Sequence, residues 1–243
     1  SEAERTKESL KKVLKALVDL NRELLRKLEE NMRELTKLNE EVKRALKEVL
    51  DKVREGGIVD KDAEREAERL MRELDKSSED TARETRKLIE ESKKSTRRTE
   101  EEARKLTETL DRLAKGGLPR EDLLRALVRL LEELARLIEE DVRRNAELVK
   151  RHIELVERDV AELLRLIKEL VDLLADLAEK GSRTEEIRKI VEEILKEIKE
   201  LADRYREEVR KSKDKLRSIL EDYKRKVDEL KERLRELIEE VET

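Results

Sequence analysis

His152 is the only histidine in the chain, and there is no cysteine. As a metal ligand it would need partners with nitrogen, sulfur or carboxylate donors at set spacings. A Glu-x-x-His di-metal motif would need Glu at position 149, and that position is Val149. As a general base it would need a nucleophile and an orienting group, and a continuous helix offers no oxyanion-hole donors. Asn145 precedes it by seven residues on the same helical seam. The spacing therefore assigns His152 to a buried hydrogen-bonded network. No catalytic residue, metal ligand or cofactor-binding residue is expected, and the chain does not read as an enzyme.

The other reactive residue types are read in the same way. Asp and Glu number 65, so spacings that match an acid pair arise by chance. A solvated face with pairs such as Glu90 and Lys94 accounts for them. Lys93, Lys94, Arg97 and Arg98 form one basic cluster, and Lys211, Lys213, Lys215 and Arg217 another. Glu90, Glu91, Glu100, Glu101 and Glu102 flank the first, and no aromatic is interleaved, which argues against nucleic acid. Tyr205 and Tyr223 are the only aromatics. They read as core fillers whose phenols join polar networks. A small-molecule cavity beside them lacks a convergent charged anchor. No Gly-x-Gly-x-x-Gly, Walker loop, nucleophile elbow or His-Glu-x-x-His occurs.

The most unusual stretch is Ser77–Thr99, SSEDTARETRKLIEESKKSTRRT. At helical spacing its inward positions are Ser77, Ser78, Thr81, Thr85, Leu88, Ser92, Ser95, Thr96 and Thr99. A helix that buries a seam normally places Leu, Ile or Val there. Here hydroxyls stand in their place.

What must position these residues is a set of long helices. Charged residues make up 52% and apolar residues 36%, mostly Leu in helical period, which points to coiled-coil-like helices rather than disorder. Net charge is −4 with both signs interspersed, which favours solubility over a steering field. The longest apolar run is three residues, as in Ala126-Leu127-Val128, too short to span a bilayer. No targeting segment is visible, localisation is left open, and the initial Ser points to a chain processed after expression. Glycines at Gly56-Gly57, Gly116-Gly117 and Gly181 cut the chain into four near-equal pieces. Asp60 reads as an N-cap, Pro119 as a first helical residue, and Ser182 to Glu185 as a capping box. Helices are expected at about 2–55, 60–115, 119–180 and 183–242. Short loops make successive helices antiparallel neighbours. The fold expected is all-α, an up-down-up-down antiparallel four-helix bundle, one long rod over 1–243 on the order of 90 Å in length.

The 3/4 spacing sets the seams. The first helix runs through Leu10, Leu14, Leu17, Leu24, Leu28, Leu35, Leu38, Val42, Ala45 and Val49, with Asn21 and Asn31 on the seam and Asn39 beside it. The third runs through Leu127, Leu131, Leu134, Asn145, His152, Val156, Val160, Leu163 and Ile167. The fourth includes Ile187, Ile190, Ile194, Ile198, Tyr205, Val209, Ser212, Leu216 and Tyr223. Threaded antiparallel, the polar residues fall at three levels. Asn21, Ser95, Thr96 and Tyr223 share one. Asn31, Thr85, Asn145 and Ser212 share a second, with His152 a turn away. Asn39, Ser78, Thr81 and Tyr205 share the third. Ser92 and Thr99 belong to the same polar interior. Grouping lets buried groups satisfy one another, since each costs roughly 1–3 kcal/mol when unpaired.

Leu/Glu/Lys/Arg-dominated helices, Gly-Gly and Gly-Ser loops, cap residues, absent Cys and Phe, and these Asn/Ser/Thr/His/Tyr layers together resemble de novo designed helical bundles with buried hydrogen-bond networks. The resemblance covers the whole chain and implies a synthetic structural scaffold without evolved activity. Its buried networks would specify register and topology, because misaligned pairings leave Asn or His unpaired. A monomer without required partners, nucleic acid or membrane is expected. The alternative is an interaction module, a homo-oligomer or a switch component in which the second helix is displaced. The broad apolar face of the third helix at Leu123, Leu130 and Leu137 motivates it. A lipid-exchanging bundle is a further class, disfavoured by the absence of Trp and Phe.

Overall fold

A computed structural model describes residues 2–56, 61–180 and 185–242. It is all-α, with four helices: α1 Glu2–Glu55, α2 Lys61–Lys115, α3 Arg120–Lys180 and α4 Glu185–Glu242. No strand occurs among the described residues. Asp60 and Ser182 lie outside them, so their capping roles are not described. The turn between α2 and α3 is described. Gly117 takes φ +60°, a left-handed conformation that glycine adopts without a Cβ penalty. The Pro119 carbonyl then accepts from Leu123 N–H at 3.0 Å, the first bond of α3. Pro119, expected as the first helical residue, thus lies one position outside the helix, which begins at Arg120. Acidic residues sit in the first turns of α2, α3 and α4, and Lys52, Arg54, Arg112 and Lys115 in the last turns of α1 and α2. Those placements favour the helix dipoles.

The helices pack on one another in two compact units. Unit 1 takes Ser1–Glu30, Leu88–Arg151 and Leu216–Thr243; unit 2 takes Asn31–Lys87 and His152–Lys215. In unit 1, ion pairs join Lys7 and Lys11 to Asp111, Arg22 to Glu100, and Lys93 to Glu29. Numbers rise along α1 as they fall along α2, so the two run antiparallel. Lys226 with Glu23 and Lys27 with Asp222 set α4 antiparallel to α1. In unit 2, α1 and α2 pair antiparallel through Lys43 with Asp75 and Arg54 with Glu68. There α2 and α3 pair antiparallel through Arg165 with Glu73 and Arg69 with Glu169. These pairs are partly or fully exposed and contribute on the order of 1 kcal/mol or less each. They mark register more than they hold it.

Burial of apolar side chains supplies the cohesion, at roughly 1.5–3 kcal/mol for each fully buried Leu, Ile or Val. In unit 1, Leu17, Leu131, Ile138, Val149, Leu216 and Val227 are fully buried; in unit 2, Val156, Leu174, Val191 and Ile198 are. At three seam positions the buried residue is the neighbour of the expected one. Leu46 is buried where Ala45 is half-buried, Asp159 where Val160 is half-buried, and Val191 where Ile190 is exposed. Each is a stride of four read as three, or the reverse, between flanking residues that both patterns share. Leu130 and Leu137 are buried within unit 1 and Leu123 is half-buried. Leu130 and Leu137 thus belong to the core rather than to an open docking face.

Candidate functional site

In unit 1 a buried network centres on Asp141, which has no exposed surface. Its Oδ2 accepts from Asn21 Nδ2 at 2.8 Å, from Asn145 Nδ2 at 3.2 Å, and from the Tyr223 hydroxyl. Its Oδ1 accepts from Thr99 Oγ1 at 2.7 Å. Asn145 Nδ2 also donates to Asn21 Oδ1 at 3.0 Å and to Tyr223 Oη at 2.8 Å. Asn21 Nδ2 reaches back to the Leu17 carbonyl at 3.0 Å. Arg144, one turn along α3, donates through Nη2 to Thr99 Oγ1 at 3.1 Å and lies 3.9 Å from Asp141 Oδ1. Donors from four helices thus converge on one carboxyl group.

In unit 2 a second network has the same parts. Asp159, 7% exposed, accepts from Asn39 Nδ2 on Oδ2 and from Thr81 Oγ1 on Oδ1 at 2.7 Å. Tyr205 Oη donates to Asn39 Oδ1 at 2.9 Å. The two sets are the same four residue types on the same four helices: Asn21 and Asn39, Thr99 and Thr81, Asp141 and Asp159, Tyr223 and Tyr205. Each pair is 18 positions apart. At 3.6 residues per turn that is five whole turns, so both members of a pair share one face of their helix. One substitution re-routes the bonds. The position equivalent to Asn145 is Leu163, a buried apolar residue. Without the asparagine, Asn39 Oδ1 receives no side-chain amide and takes the Tyr205 hydroxyl. In unit 1, Asn145 fills that acceptor and Tyr223 turns to the carboxylate.

Asn31 and Ser212 form a smaller pair in unit 2. Ser212 Oγ donates to Asn31 Oδ1 at 2.9 Å, and Asn31 Nδ2 donates to the Ser212 carbonyl at 3.3 Å.

Other expected members fall elsewhere. Asn145 joins Asn21 and Tyr223 rather than Asn31. Ser92 and Thr96 are buried and donate to the carbonyls four residues back, Leu88 at 3.0 Å and Ser92 at 3.1 Å. Such back-bonding satisfies a hydroxyl inside its own helix. Ser95 Oγ is buried without a hydrogen-bond partner among the described residues. Ser78 and Thr85 are half-buried and take no part in the networks. His152 is fully buried. Sequence reasoning missed Asp141 and Asp159, the acceptors on which both networks turn.

Burial pushes the Asp159 carboxyl above its ordinary value of 3.8, against the lowering effect of Thr81, Asn39 and Arg158. Burial likewise raises both phenols, with the neighbouring carboxylates adding to the shift. They stay protonated and able to donate. For Asp159 the folded pKa exceeds the unfolded one, so the folded chain holds more protons between the two. Its contribution to stability is fully present below about 3.8 and is lost as pH rises through the folded value. Asp159→Asn removes that titration. Urea unfolding of parent and variant across pH 3 to 8, at about one-unit steps, is expected to show the parent losing ground to the variant as pH rises through this window. A difference independent of pH contradicts the assignment.

The basic clusters are answered by acids. Lys93 lies 3.6 Å from Glu90, Arg98 3.3 Å from Glu102, Lys213 3.7 Å from Glu157 and Lys215 3.0 Å from Glu34. Glu90 therefore pairs at i,i+3 with Lys93 rather than with Lys94. Among the described residues, no group of three or more His, Asp or Glu is placed to hold a metal ion. No described helix is long and apolar enough to cross a membrane. Comparison with known proteins finds no matching family model, curated protein or solved structure.

Proposed function

We propose that the chain is a synthetic structural scaffold whose buried polar networks select register and topology, and that it carries no enzymatic activity. The observation that supports this most is the repeated set of Asn, Thr, Asp and Tyr, each on its own helix, 18 positions apart. A polar group in a core stabilises little beyond an apolar replacement, but a misaligned partner leaves it unpaired at roughly 1–3 kcal/mol. Four such groups meeting at one level penalise other alignments. That is a means of choosing one structure.

The test replaces one whole set: Asn39→Leu, Thr81→Val, Asp159→Leu and Tyr205→Phe together. The expected melting temperature is equal to or above the parent's, while amide spectra and sizing show more than one species. A single species with a strongly lowered melting temperature overturns the reading. A second variant with Val at position 159 separates that result from overpacking.

One observation favours a second reading, an interaction module in which α2 is displaced by a competing helix. Between Leu74 and Leu88, α2 has no buried residue. Light scattering on a sizing column separates a lone scaffold, which runs as a monomer, from a self-associating module.

A further inference from the structure

The two networks differ at one place that bears on binding. In unit 1, the guanidinium of Arg144 covers the Thr99–Asp141 pair, 3.1 Å from the hydroxyl and 3.9 Å from the carboxylate. Arg144 stands three residues after Asp141. The residue three after Asp159 is Glu162, which turns to Arg165 at 2.7 Å. In unit 2 the Thr81–Asp159 pair therefore lacks an internal guanidinium at this position. It lines instead a groove of about 700 Å³ between α2 and α3. Ser77, Thr81 and Ala161, all small, leave the space, and Leu155 gives it an apolar wall.

We infer that this groove is a binding site for a small organic cation of the amidinium or guanidinium class, seated on Thr81 and Asp159 as Arg144 is seated on Thr99 and Asp141.

The chemistry supports that class. Each Asp159 oxygen accepts one bond from the protein, to Asn39 or Thr81, and a carboxylate oxygen has a second acceptor direction. A planar cation with paired N–H donors matches a carboxylate and adjacent hydroxyl better than a compact ammonium does. The cations at the groove's rim are engaged: Arg158 with Glu84, and Arg165 with Glu73 and Glu162. The lining acids Glu73, Asp80, Glu84, Asp159 and Glu162 outnumber the lining bases Lys76, Arg158 and Arg165. A space of this size accommodates an aryl or alkyl group behind the cation.

The test titrates the full chain with benzamidine, and with benzamide as a neutral analogue of the same shape, following backbone amide shifts. Benzamidine is expected to shift the amides of Thr81 and Asp159 saturably, with Kd on the order of millimolar for a fragment of this size. Benzamide is expected to leave them unmoved. Asp159→Asn is expected to weaken benzamidine at least about tenfold. Glu162→Arg lies at the groove's rim, away from the buried core. It supplies the internal guanidinium that unit 1 already has and is expected to abolish binding while the fold is kept. Equal shifts from benzamidine and benzamide overturn the inference. So does unchanged benzamidine affinity in Glu162→Arg.

Discussion

Asp141→Leu is expected to lower the unfolding free energy by roughly 3–5 kcal/mol, about what two stranded buried donors cost together. The loss follows from what is left behind. Asn21, Asn145, Thr99 and Tyr223 all direct donors at the carboxylate. Leucine accepts none of them. Asn145 can still donate to Asn21 and Tyr223, but the Thr99 and Tyr223 hydroxyls lose their acceptor in a site without exposed surface. Each stranded donor costs roughly 1–3 kcal/mol. Asp141→Asn keeps one acceptor oxygen, so its expected cost is smaller, on the order of 1 kcal/mol. Chemical denaturation of the three proteins measures the series. A cost below about 1 kcal/mol for the leucine variant would mean that the donors find other acceptors.

That residue was also the hardest to read from the sequence, and the reason is physical. Asn, Thr and Tyr are rare here, so each one on a seam draws notice. Aspartate and glutamate number 65 in the chain. One more carboxylate carries no compositional signal, and only its stride marks it. Asp141 lies on the seam, three residues after Ile138 and four before Asn145. Asp159 lies three after Val156 and four before Leu163, but Val160 satisfies the opposite stride and is the more apolar choice. The same ambiguity exchanged Ala45 with Leu46 and Ile190 with Val191. A seam of threes and fours fixes the face of a helix and leaves single positions undetermined wherever both strides meet an apolar residue.

Helix extents were far more legible. Three glycine signals in a chain otherwise free of glycine set them to within two residues, since breaking a helix is a local backbone event. Heights were legible only in part. Of the level Asn39, Ser78, Thr81 and Tyr205, all but Ser78 meet in one network, and of Asn21, Ser95, Thr96 and Tyr223 only Asn21 and Tyr223 do. Asn145 was assigned to Asn31, although it bonds Asn21. Matching 145 to 31 instead of 141 to 21 misplaces α3 against α1 by six residues, roughly 9 Å at 1.5 Å per residue. Loop geometry decides such offsets, and residue counts do not carry it.

The amides of α2 from Ser77 to Lys87 are expected to exchange about a hundredfold faster than those of α3 from Leu155 to Ile167, in the same unit. The contrast lies in what each segment buries. On α3, Leu155, Val156, Leu163, Leu166 and Ile167 are buried. On α2, Ser77, Ser78, Thr81, Ala82 and Thr85 are only half-buried, and Thr81 alone among them bonds a network residue on another helix. A net hydrogen bond contributes roughly 0.5–1.5 kcal/mol, and a buried Leu or Ile roughly 1.5–3. A deficit of about 2.7 kcal/mol, two factors of ten, corresponds to little more than one leucine. Native-state exchange by NMR reads both segments in one sample. Thr85→Leu supplies an apolar contact at a site where no hydrogen bond is lost, and it is expected to slow exchange across this part of α2. Equal protection of the two parent segments would mean that one Thr–Asp bond and its partners hold α2 as firmly as leucines hold α3. The displaceable-helix reading would then have no energetic basis.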